Sequence, residues 1–88
     1  METIQTKRHK RLIAALIAER KRAGINQVAL AKKLKRSQTF VARMESGRRR
    51  IDVIEFMDLA EAIGFNAPKL LEALAQVPHG RAKRNERE

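Results

Sequence analysis

The stretch QVALAKKLKRSQTFVARMES, residues 27–46, decides the fold, because its apolar positions fit two short helices joined by a tight turn. Leu30, Ala31 and Leu34 fall at i, i+1 and i+4, one face of a first helix. Val41 and Met44 fall at i and i+3, one face of a second. Between them lie Lys35, Arg36 and Ser37, with Ser37 suited to cap the second helix by accepting a backbone N–H bond. Small Ala31 faces the place where the second helix must cross closely, so a larger side chain there would push the helices apart.

Working outward, residues 1–6 read as a flexible arm with no apolar face to bury. A helix is expected from Thr6 or Lys7 to Arg22, with Leu12, Ile13, Leu16 and Ile17 as its inward stripe and Gly24 as its stop. Asn26 is a good N-cap for the helix that starts near Gln27, and the next helix spans Ser37 to Glu45, closed by Gly47. Asp52 and Glu55 form a capping-box pair at the start of a fourth helix. Ile54, Phe56, Met57, Leu59, Ala60 and Ile63 are expected to give it a broad apolar surface, ended by Gly64. Pro68 suits the first turn of a fifth helix, whose apolar positions are Leu70, Leu71 and Leu74. Pro78 and Gly80 mark the end of order, leaving residues 78–88 as a flexible basic tail. No alternating strand pattern competes, so the expected fold is all-α, with five short helices forming one domain over residues 7–77.

Composition narrows the chemistry. With 43% hydrophobic residues the chain can build a compact helical core, and with no cysteine it can form neither a disulfide nor a Cys-based metal site. His9 and His79, the only histidines, lie in basic terminal segments and read as solvated surface residues rather than metal ligands. The apolar run LIAALIA at 12–18 is too short to span a membrane and is flanked by charge, so a cytoplasmic protein is expected. No catalytic triad, metal-ligand cluster or phosphate-cradling glycine loop is evident, so neither an enzyme nor a cofactor is expected.

The net charge of +10 is unevenly spread. Residues 25–50 carry eight Lys/Arg against one acid, and residues 1–24 seven against two, whereas residues 51–77 carry one against five. A polyanion would be drawn to one face and held away from the other. Two helices crossing at a tight turn inside the most basic segment make a helix-turn-helix, whose second helix enters the DNA major groove.

Gln27, Leu30-Ala31, Ser37-Gln38, Val41 and Met44-Glu45 followed by Gly47 together resemble the phage-repressor and Cro-like helix-turn-helix family, often called the XRE family. Leu59-Ala60 to Ile63-Gly64, then Pro68 to Leu74, resemble its fourth and fifth helices, so the likeness covers about residues 7–76. It implies a five-helix, lambda-repressor-like domain. Two positions depart from the pattern, with Lys35 where the turn usually carries Gly and Arg36 where it carries an apolar residue. A left-handed Lys costs about 1 kcal/mol relative to Gly, and Arg36 must point outward.

The side chains suit these positions. Gln38 can donate to and accept from adenine, Thr39 offers a hydroxyl and a methyl, and Arg43 can pair with guanine through two bonds; the resemblance places all three at base-facing positions. It also implies that Gln27 contacts a phosphate and braces Gln38, and that Arg20 and Glu45 form an ion pair joining the first helix to the third. Ser46 and the run Arg48, Arg49 and Arg50 look like phosphate contacts, with Lys35 and Arg36 as weaker ones. Phe40 lies toward the groove side of the helix and is expected to pack at the core margin.

The expected function is that of a nucleoid-associated transcriptional regulator, a repressor binding double-stranded DNA as a homodimer on a pseudo-palindromic operator. Any dimer contact must come from exposed apolar residues of the last two helices or from the tail. The alternative is an antitoxin-type module whose tail folds on a toxin partner and which also binds its own promoter.

Overall fold

The structure, a computed structural model, describes residues 6–78. The expected arm and tail therefore lie, apart from Thr6 and Pro78, outside the described residues, as does His79. The chain forms α1 (Lys7–Arg22), α2 (Gln27–Leu34), α3 (Gln38–Glu45), α4 (Val53–Ile63) and α5 (Ala67–Ala75), with no strand among the described residues.

Each helix starts where a short polar side chain can accept an otherwise unsatisfied backbone N–H. Thr6 accepts from His9, Asn26 from Ala29, Ser37 from Phe40, Asp52 from Glu55 and Asn66 from Lys69. At α4 the capping box is complete, because the Glu55 carboxylate also accepts the Asp52 N–H at 3.1 Å. The first three helices end in one way: a left-handed residue lets the following N–H reach back to a carbonyl five residues earlier. Ile25 bonds Arg20, Arg36 bonds Ala31 and Arg48 bonds Arg43. Gly24 and Gly47 supply the left-handed residue in the first and third cases; at the α2–α3 turn it is Lys35, at φ 59° and ψ 42°.

Leu16 of α1, Leu30 and Ala31 of α2, Val41 and Met44 of α3, and Phe56, Leu59 and Ile63 of α4 form one buried cluster. Ala31 is 3% exposed, which accounts for its size at the α2–α3 crossing. Phe65, in the α4–α5 connection, closes the cluster against Phe56 with ring centroids 5.6 Å apart. α2 is thereby seated on α4 and α1 packs against α3, so that α3 keeps one face turned outward.

Three expectations need correction. Ile54 and Met57 are not part of the core face of α4: they are 65% and 54% exposed. They lie about 200° and 100° around the helix from Phe56, and Phe56, Leu59, Ala60 and Ile63 suffice to face the core. Leu71 of α5 is likewise exposed, because Leu70 and Leu74 take the inward stripe. His9 is buried rather than solvated, packed in the first turn of α1 against the loop that follows α3. Beside it in the same turn, Arg8 donates two bonds to the Val77 carbonyl, at 3.2 and 2.8 Å, which joins the start of α1 to the chain just past α5.

Candidate nucleic-acid interface

The turn and cap that set α3 also orient its side chains. Val41 and Met44 are buried, so Thr39 and Arg43 fall on the opposite face, while Gln38, the first residue of the helix, lies on its flank about 60° from Val41; all three are exposed. Gln38 is held in place. Its Nε2 donates to Gln27 Oε1 at 2.7 Å, and Gln27 Nε2 donates to Glu45 Oε1 at 2.9 Å. Glu45 in turn accepts from Arg20 Nε at 2.6 Å and Nη2 at 2.9 Å, while Arg20 Nη1 donates to the Ile25 carbonyl.

This relay runs from a charged pair with side chains only 11% and 6% exposed out to the surface of α3. The hydrogen bond to Glu45 holds the Arg20 guanidinium charged, raising its pKa further, while burial opposes this. Gln38 spends only one of its two N–H groups on Gln27. A second N–H and the Oε1 acceptor remain, the pair of groups that matches an adenine edge.

The basic residues sort into two sets. Arg48 is exposed beside the end of α3, and the Ser46 hydroxyl donates to the Arg43 carbonyl at 2.9 Å, leaving its oxygen able to accept. Arg50 is exposed and lies near His9. Lys35 is exposed at the left-handed turn position.

Arg36 and Arg49 behave differently. Arg49 binds Glu55 through two bonds, each 3.0 Å, and its guanidinium lies 4.8 Å from the Phe40 ring centroid. The Arg36 guanidinium lies 3.8 Å from the same centroid and 3.9 Å from Glu55. Phe40, half-buried at the core margin as expected, is thus a platform for two cations. The hydrogen bonds from Arg49 hold the Glu55 carboxyl below the usual carboxylate range, assisted by the Asp52 backbone N–H and by the Arg36 charge and resisted by burial.

Two groups escaped the sequence reading. Glu55 was legible as a cap, but no local spacing shows that its carboxylate also gathers Arg36 and Arg49. His9 Nε2 is buried without a partner; burial, then the charge of Arg50, push its pKa down, against a hydrogen bond with the Gly47 backbone. Among the described residues no group of three or more His, Asp or Glu side chains is placed to hold a metal ion, and no helix is long and apolar enough to cross a membrane.

An exposed, braced helix flanked by cations on a capped helix-turn-helix defines a DNA-binding class of protein. Residues 16–70 match the family described as Helix-turn-helix, and the chain belongs to it, in its XRE-type branch. It is similar to the solved structure of an XRE-family like protein from Pseudomonas syringae pv. tomato str. DC3000. The two are 44% identical, with a TM-score of 0.75, over 81% of this chain and 88% of that one. No curated protein matches the chain. Membership makes it a DNA-binding transcription regulator.

Proposed function

We propose that this protein is a repressor that binds a pseudo-palindromic operator as a homodimer and acts by occupying a promoter. The observation that carries the reading is the Arg20–Glu45–Gln27–Gln38 relay, which holds the Gln38 amide at the exposed surface of α3. Order of this kind is unnecessary for coating DNA, where mobile cations suffice. In this reading α3 enters the major groove, and Gln38, Thr39 and Arg43 read base edges. Gln27, Ser46, Arg48 and Arg50 contact phosphates on either side, with Lys35 at the turn as a weaker contact. Two copies associate through the outward stripe of α4, where Val53, Ile54 and Met57 are exposed, with exposed Leu71 on α5 as a further apolar contact.

Selection of bound sequences from a random double-stranded DNA pool at physiological salt tests the proposal. The expected product is an enriched pseudo-palindrome with half-sites about 10 bp apart, centre to centre. Retention with no enriched motif would overturn sequence-specific repression, and an enriched single half-site would overturn the dimer.

A further inference from the structure

Glu55 stands where the acidic α4 meets the basic helix-turn-helix, and its carboxylate is anchored. It accepts the Asp52 N–H at 3.1 Å as half of the capping box, so it belongs to the rigid start of α4. From there it holds two guanidiniums drawn from different places, Arg36 in the α2–α3 turn and Arg49 in the loop after α3. Both lie over the ring of Phe40, which belongs to α3 itself. Turn, α3, loop and α4 are therefore joined through one carboxylate and one ring.

Resting on the reading that α3 enters the groove, we propose that Glu55 is a specificity-determining residue, acting in two ways at once. It keeps Arg36 and Arg49 off the phosphate backbone, lowering affinity for any sequence, and it presses them onto Phe40, fixing the setting of α3 that the correct operator requires. Specificity is the difference between these two affinities, so weakening the common term sharpens discrimination.

The charge balance supports the assignment. Residues 25–50 contain a single acid, Glu45, and that one is committed to Arg20 and Gln27. The acids near the remaining cations come from α4, where Asp58 lies beside Arg36 and Phe40 and Glu55 is the one seen paired with Arg36 and Arg49. One carboxylate between two guanidiniums leaves one net positive charge where the sequence supplies two. The geometry also favours holding over release: two parallel 3.0 Å bonds to Arg49, with the carboxylate side chain 17% exposed, make a better partner than an isolated surface pair. An arginine that moved to a phosphate would uncover Phe40 and leave Glu55 facing the DNA.

Glu55→Gln is the discriminating variant, because glutamine retains the one acceptor that the capping box needs while it removes the charge and the second acceptor oxygen that hold the guanidiniums. On a random-sequence duplex the plot of log K against log salt should steepen by about 0.9 for each arginine released to phosphate. Low-salt affinity should rise, and the ratio of operator to random-duplex affinity should fall several-fold. The variant should also leave immobilised heparin at higher salt than the parent. An unchanged salt slope would overturn the proposal. Phe40→Leu supplies an independent test, since it leaves Glu55 intact: operator affinity should fall several-fold with random-duplex affinity unchanged, and equal loss for both would overturn the positioning role. Heparin elution and random-duplex slopes need no operator, so a parent protein that selects no motif would refute the proposed repressor function while leaving the restraint by Glu55 to be decided by these two readouts.

Discussion

Replacing Glu45 by alanine should be the most damaging single change on the nucleic-acid face, and the structure sets its size. The Glu45 carboxylate accepts from Arg20 Nε and Nη2 and from Gln27 Nε2, and its side chain is only 6% exposed. Its loss leaves the Arg20 guanidinium, 11% exposed, with one remaining bond, to the Ile25 carbonyl. Breaking a buried pair by removing one partner costs about 3–5 kcal/mol, since the surviving charge stays desolvated without compensation. A domain of this length has a total stability of roughly 4–11 kcal/mol, so Glu45→Ala should remove about a quarter of it or more. Urea denaturation followed by far-UV circular dichroism measures the loss directly, and the melting temperature should drop by at least about 12 °C. The double variant Arg20→Met, Glu45→Leu leaves no buried charge and should be more stable than Glu45→Ala alone, though its Gln38 is no longer braced through Gln27. A loss below about 1 kcal/mol for Glu45→Ala, or a double variant less stable than the single, would refute the reasoning.

Three further outcomes are expected. Lys35→Gly relieves the left-handed strain at the turn, offset in part by the greater freedom of glycine in the unfolded chain; a gain of about 0.5–1 kcal/mol should appear as a higher melting temperature. Arg43→Ala should lose about 1–3 kcal/mol on the selected operator while random-duplex binding largely survives, and equal losses in parallel titrations would remove Arg43 from base readout. His9 has its pKa lowered in the folded state by burial and by Arg50, so the unfolded chain binds the proton more readily and stability is lost as pH falls below the ordinary value of 6.5. Melting curves across that window should show the decline, and His9→Leu should flatten it.

The sequence determined what depends on neighbours along the chain. Asn26, Ser37 and Asp52 with Glu55 cap helices because each acceptor lies three residues from the N–H it satisfies, a separation fixed by helix geometry. Leu30, Ala31, Val41 and Met44 repeat at helical spacing, and the left-handed Lys35 is expected from the resemblance, which places it where the turn usually carries Gly. The outward placement of Thr39 and Arg43 follows from the buried Val41 and Met44, that of Gln38 comes from the family resemblance, and the uneven charge marks the basic side.

The tertiary structure decided what depends on which faces meet and how far long side chains reach. Periodicity marks Ile54, Met57 and Leu71 as apolar, but whether an apolar position is covered depends on the packing of the other helices, and these three are left open. His9 is buried because the loop after α3 comes to rest against the first turn of α1, a contact between residues far apart in the chain. Arg36, Arg49, Phe40 and Glu55 come from a turn, a loop and two helices, and a guanidinium on a flexible stem can settle on a ring, a carboxylate or a phosphate alike. Composition could count those cations; only the seating of the helix-turn-helix beside the start of α4 decided that Arg36 and Arg49 are held by Glu55, because an ion pair is set by distance in space and not by position in the chain.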